Sequence, residues 1–121
     1  MAVRQILVVD DESLIRTVLA EILRAHGYGV DQACDADAAR GLLRSSSDYD
    51  LVITDIQMPG ASDGLALADH LASSTPVVPV LIMTGRPELL RRALRSHERF
   101  LSKPFGAEQL LEKVGELAPV H

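Results

Sequence analysis

Apolar residues in this chain fall into short unbroken runs, separated by segments where they recur every three or four positions. Ile6-Leu7-Val8-Val9, Leu51-Val52-Ile53 and Val77 to Met83 are too short for helices and do not alternate with polar residues. Rich in Val and Ile, they predict strands buried on both faces, the pattern of a parallel sheet. Pro79, inside the third run, is placed at a strand start, where a missing N–H is tolerated. Phe100-Leu101 and the weaker stretch Tyr28 to Ala33 bring the strand candidates to five.

The intervening segments are amphipathic. Leu14, Ile15, Val18, Leu19, Ile22 and Leu23 lie at helical spacing, and Gly27 follows His26 as a stop. Asp35 or Asp37 caps a second helix running through Leu43 toward the loop Ser45-Ser46-Ser47. Asp63-Gly64 opens a third helix carrying Leu65, Leu67, Ala68 and Leu71. Pro87 suits the first turn of a fourth, through about Arg95, and the last runs from about Ala107 to Leu117. Strand and helix alternate five times: an α/β chain of (βα)5 type, with helices on both faces of one doubly wound parallel sheet.

In such sheets ligands bind beyond the carboxyl ends of the strands. There the first run meets Asp10-Asp11-Glu12, the third strand ends in Asp55, the fourth in Thr84 and the last in Ser102-Lys103-Pro104. Crowded carboxylates need a compensating cation. Mg²⁺ takes hard oxygen ligands and commonly shares them with phosphate, and Lys103 offers a point charge to a phosphoryl oxygen. The group predicts a Mg²⁺-assisted phosphoryl site. Singly, each residue has a plainer role: Asp11 or Glu12 capping the first helix, Thr84 capping the fourth, Lys103 as a solvated charge. Their joint placement on one edge favours the chemical reading.

Composition narrows the field. A length of 121 residues predicts one domain over 1–121, large enough to bury roughly two-thirds of its unfolded surface. The single Cys34 excludes an intramolecular disulfide and suits a reducing compartment. A net charge of −5 argues against direct nucleic acid binding by bulk charge. No apolar run approaches the ~18 residues of a membrane span, so a soluble cytoplasmic domain is expected. Aromatic content of 3% without Trp disfavours a flavin-type pocket.

The ordered set Ile6-Leu7-Val8-Val9-Asp10-Asp11-Glu12, Asp55-Ile56-Gln57-Met58-Pro59-Gly60 with Asp63-Gly64, Met83-Thr84-Gly85 and Lys103-Pro104-Phe105 resembles the receiver domains of bacterial two-component response regulators over essentially the whole chain. The resemblance implies the flavodoxin-like strand order 2-1-3-4-5 of the chemotaxis receiver. It implies that Asp55 accepts a phosphoryl group from a sensor histidine kinase or a histidine phosphotransfer protein, as a phosphoacceptor signalling domain and not an enzyme. Asp10, Asp11, Asp55 and the backbone carbonyl of Gln57 would bind Mg²⁺ (or Mn²⁺), and Thr84 and Lys103 would contact the phosphoryl group. Thr84 and Phe100 would form the switch pair, and the bond before Pro104 would be cis. In that family the first helix meets the kinase's phosphohistidine bundle. Gln57 and Arg86, each two positions past a site residue, are expected to tune dephosphorylation.

The chain also departs from the pattern. Nineteen positions separate Thr84 from Lys103, fewer than receivers commonly have, and Ser96-His97-Glu98-Arg99 replaces their usual Gly-Ala. The fourth helix is therefore expected to be short or irregular and the output surface altered. One extra residue stands between Pro59 and Asp63. Arg91, Arg92, Arg95 and Arg99, with Glu108, Glu112 and Glu116, fit either a solvated face or reciprocal pairing in a homodimer formed on phosphorylation. A haloacid-dehalogenase-like phosphatase needs an acid where Gln57 stands, and a flavodoxin-like carrier needs a Ser/Thr/Gly-rich loop where this chain has acids. A GTPase needs a Gly-rich Walker loop, and a pseudo-receiver lacks one of the acids or the lysine. The expectation is a stand-alone regulator acting on a downstream protein. Its alternative is an excised receiver of a longer DNA-binding regulator or hybrid histidine kinase.

Overall fold

Five parallel strands form one sheet in the order β2-β1-β3-β4-β5. In this computed structural model, which describes residues 3–45, 48–58 and 63–120, they are β1 Gln5–Val9, β2 Gly29–Ala33, β3 Leu51–Asp55, β4 Val80–Thr84 and β5 Glu98–Ser102. The three central strands are the three Val/Ile-rich runs, and every residue of β3 and β4 is buried. Alternate side chains divide the core. Ile6, Val8, Ile53 and Leu81 pack under helices α1 (Ser13–Ala25) and α4 (Ala107–Leu117). Leu7, Val9, Val52 and Ile82 pack under α2 (Ala36–Ser45) and α3 (Gly64–Ala72).

The stop and start residues act as their chemistry dictates. Gly27, at φ 94°, takes the left-handed conformation that ends α1. Asp35, not Asp37, caps α2 by accepting from the Ala38 N–H at 2.7 Å. Asp63 caps α3 by accepting from Ala66 N–H at 2.9 Å. Pro79 precedes β4 and its carbonyl accepts from Val52 N–H. Of the expected Ser45-Ser46-Ser47 loop, Ser46 and Ser47 lie outside the described residues, as do Pro59, Gly60 and the expected extra residue before Asp63. The α1 stripe divides: Leu19 and Leu23 are buried and Ile15 and Ile22 half-buried, while Leu14 and Val18 are 74% and 45% exposed.

The expected fourth helix through Arg95 is absent. A single 3-10 turn, Pro87–Leu89, is followed by irregular chain to β5, leaving four α-helices among the described residues. Leu89 to Arg95 is rich in good helix formers, so propensity does not explain this. Tertiary geometry does. The crossover from β4 to β5 has only residues 85–97, close to the minimum of about a dozen that a helical crossover needs. The buried Glu98 carboxylate gathers the segment instead. Arg92 donates both Nη atoms to it at 2.8 and 3.0 Å, and Arg95 donates its backbone N–H at 2.8 Å and its Nη1 at 3.1 Å. That Arg95 N–H is one a helix would have used. Arg92 and Arg95 also reach Asp69 on α3, and Arg91 pairs with Asp63. Arg99 pairs with Glu116 of α4 at 2.9 Å, so each of the four arginines has an acidic partner within the chain, while Arg91 and Arg95 remain exposed on a solvated face.

Candidate functional site

The parallel ladder delivers the candidate residues to one edge. Val9 lies opposite Thr54, which sets Asp10 beside Asp55. Asp55 lies opposite Met83, one residue before Thr84, and Thr84 opposite Ser102, one residue before Lys103. Main-chain bonds continue past the strands: Asp10 N–H to Ala33 O, Ile56 N–H to Met83 O and Lys103 N–H to Thr84 O at 2.8 Å. The Lys103–Pro104 peptide is cis, as is Thr75–Pro76.

Lys103 Nζ joins two carboxylates, donating to Asp55 Oδ2 at 2.7 Å and to Asp10 Oδ2 at 3.1 Å. Each acid's other oxygen accepts from the backbone two residues on: Asp10 Oδ1 from Glu12 N–H, and Asp55 Oδ1 from Gln57 N–H. Asp10 is fully buried and Asp55 nearly so. Burial draws the Lys103 pKa down, but hydrogen bonds and attraction to Asp55 and Asp10 outweigh it and hold the ammonium above the ordinary lysine range. Lys103 is thus not a solvated surface charge. Asp11, Glu12, Asp55, Gln57, Thr84, Arg86 and Lys103 border one open cleft of about 490 Å³.

The carboxylate oxygens of Asp10, Asp11 and Glu12 lie within 4.8 Å of one another. An all-oxygen, multiply acidic donor set with one side open to the cleft suits a hard divalent ion in both charge and ligand type. Glu12 joins this cluster, while Asp55 is drawn to Asp10 by Lys103. Gln57 projects its side chain outward and is exposed. Thr84 is buried, and its hydroxyl accepts from Arg86 N–H at 3.0 Å. Arg86 is exposed and pairs with Glu88 at 3.1 Å. Phe100 lies away from the cleft, half-buried with Leu89 and Leu90 against the α2–α3 side of the core. Glu12 is the backbone cap of α1, without a side-chain cap bond.

Two further residues shape the site through backbone contacts. Gly64 accompanies Asp63 as a helix opener, yet its role is contact: a Cβ there would stand 1.9 Å from the Asp55 carbonyl oxygen. Gly64 N–H also donates to Ile56 O. Asp63-Gly64 stands in the motif set quoted above, but that signal does not show the contact. The second contributor is Arg16, whose Nη1 donates to the Asp10 carbonyl at 2.6 Å.

A model of the response regulator receiver domain matches residues 6–115. The chain belongs to the response regulator receiver domain family. The receiver is 36% identical over 116 residues to the response regulator MprA of Mycolicibacterium vanbaalenii, covering 93% of this chain and 49% of that one. It is 39% identical over 113 residues to the transcriptional regulatory protein YrkP of Bacillus subtilis, covering 91% and 47%. The chain spans about half the length of these curated relatives. Among solved structures, TrrA of Thermotoga maritima, crystallised with Mg²⁺ and beryllofluoride, aligns with a TM-score of 0.84 and 34% identity over 94% of this chain and 98% of that one. Strand order 2-1-3-4-5 is that of chemotaxis receivers such as Vibrio cholerae CheY4. Among the described residues no helix is long and apolar enough to cross a membrane.

Proposed function

We propose that this receiver accepts a phosphoryl group on Asp55 from the phosphohistidine of a kinase or histidine phosphotransfer protein, and that the modification alters a protein-binding surface. The observation that carries the reading is the Lys103 ammonium held between the Asp10 and Asp55 carboxylates at the mouth of the acidic cleft. A carboxylate oxygen of Asp55 attacks phosphorus as the bond to the donor imidazole breaks, and the imidazole leaves. Carboxylate is a weak nucleophile, so positioning and charge neutralisation supply the rate. Lys103 exchanges part of its hold on Asp55 for the incoming phosphoryl oxygens. Mg²⁺, when bound, neutralises those oxygens and the crowded acids; Asp10, Asp11, Asp55 and the Gln57 carbonyl would hold it, with Glu12 close by. Thr84 releases Arg86 N–H to bond the phosphoryl group, which frees the start of the irregular crossover that Leu89, Leu90 and Phe100 anchor.

An apolar groove of about 600 Å³ between α1 and the start of α4, bordered by Leu14, Ile15, Val18, Phe105 and Leu110, reaches the Lys103 end of the cleft. Its position suits the helical bundle of the phosphodonor, with exposed Leu14 and Val18 as contacts. A dimer built on Arg–Glu exchange would have to give up the internal Arg99–Glu116 pair. Gel filtration with and without beryllofluoride reads this, and a monomer in both conditions removes the dimer. Incubation with acetyl phosphate and Mg²⁺ followed by intact mass tests the chemistry. The reading requires one added phosphate, absent in Asp55→Asn. No addition to the wild-type chain, or addition retained in Asp55→Asn, overturns it.

A further inference from the structure

The acidic turn is tied down from an unexpected side. Every polar atom of Asp10 is engaged: N–H to Ala33 O, Oδ1 by Glu12 N–H, Oδ2 by Lys103, and the carbonyl oxygen by Arg16 Nη1 at 2.6 Å. The last of these is the shortest and is charge-assisted. The Asp10 carbonyl and the Asp11 N–H belong to one rigid peptide plane. Holding that oxygen therefore fixes the direction in which Asp11 leaves the sheet, and with it the convergence of the Asp10, Asp11 and Glu12 carboxylates. Arg16 is half-buried on the first turns of α1, and its Nε is buried without a hydrogen-bond partner among the described residues. Leaving a guanidinium N–H unsatisfied costs stability, so stability alone is a poor reason for this placement.

We propose that Arg16 is a positioning residue that holds the Asp10–Glu12 turn ready for a divalent cation before the ion binds. The inference rests on the Mg²⁺-dependent reading above and assigns its ion affinity to a side chain outside the ligand set. Groups that orient metal ligands without touching the metal typically contribute about 10–100-fold in affinity. Two effects of removing Arg16 have opposite sign: loss of its charge favours a cation, and loss of its hydrogen bond disfavours one. The direction of the change therefore separates positioning from simple electrostatics.

The test is calorimetric titration of Mg²⁺ into the full chain for wild type, Arg16→Met, Arg16→Lys and Arg16→Gln. Arg16→Met should bind Mg²⁺ about 10–100-fold more weakly, and Arg16→Lys, which can still donate to the carbonyl, should recover most of the loss. With acetyl phosphate as donor, the half-saturating Mg²⁺ concentration should rise in Arg16→Met while the rate at saturating Mg²⁺ stays near wild type. Should Arg16→Met fail to fold, Arg16→Gln, too short to reach the carbonyl, carries the same expectation. Unchanged or tighter Mg²⁺ binding in the uncharged variants overturns the proposal. A wild-type chain that takes up no Mg²⁺ overturns instead the functional reading on which it stands.

Discussion

Substituting Gly64 by alanine is a one-carbon change with a computable consequence. The new Cβ would lie 1.9 Å from the Asp55 carbonyl oxygen, 2.8 Å from its carbon and 3.0 Å from Thr54 Oγ1. Ordinary contact begins above 3 Å, so the overlap exceeds 1 Å. The opposing atoms are backbone of a central strand, which cannot swing aside. Either α3 lifts off or the end of β3 moves. Overpacking of this kind costs about 1–3 kcal/mol, and the backbone target places Gly64→Ala near the top of that range. With a urea m-value of about 1.5 kcal/mol/M, the midpoint should fall by about 2 M. Because Asp55 carries the displaced carbonyl, a shift of about 1 Å at the acceptor should also slow phosphorylation by acetyl phosphate about 100-fold. Gly115→Ala supplies the control, since nothing lies within 4 Å of a Cβ built on that α4 position; it should stabilise the chain by about 0.5–1 kcal/mol through helix propensity. A Gly64→Ala chain with the wild-type midpoint and rate would refute the reasoning.

Burial raises the Glu98 pKa, but bonds from Arg92 and from the Arg95 backbone overcome it and hold the carboxyl at about 2 against an ordinary 4.5. A depressed acid stabilises the fold above its unfolded pKa and loses that contribution as pH falls through its folded one. Glu98→Gln should therefore cost about 3 kcal/mol at pH 7, shrinking between pH 4.5 and pH 2 in paired urea titrations. Lys103→Met leaves two buried carboxylates without their cation and should cost about 3 kcal/mol in metal-free buffer, partly regained on adding Mg²⁺. The Lys103 pKa is raised, so its contribution is present below about pH 10.5 and lost as pH climbs through the folded value; Lys103→Met should be less sensitive than wild type to alkaline unfolding. Gln57→Ala and Arg86→Ala should each change the phosphoaspartate half-life, and two unchanged half-lives would remove these residues from the dephosphorylation path.

The sheet was legible because β1, β3 and β4 are buried on both faces, which leaves an unbroken Val/Ile signal in the chain. The acids and the hydroxyl were legible because they stand at the ends of such runs, and the ammonium because it follows the shorter Phe100-Leu101 pair. The missing fourth helix was foreshadowed by the short Thr84–Lys103 interval but not its replacement. Leu89 to Arg95 has helix-forming composition, and nothing local says that Glu98 points inward to collect two arginines. The contacts of Gly64 and Arg16 were hidden for a related reason. Their partners, the Asp55 and Asp10 carbonyls, are backbone atoms, and backbone carbonyls leave no trace in a residue pattern.

The central claim concerns one oxygen atom on one side chain. Borohydride reduces an acyl phosphate of aspartate to homoserine, so treating the phosphorylated chain and mapping its peptides reads the acceptor directly. Conversion at Asp55, dependent on Mg²⁺ and on phosphodonor, is the result the account predicts. Conversion at Asp10 or Asp11 instead, or none in a chain that has taken up phosphate, would contradict it.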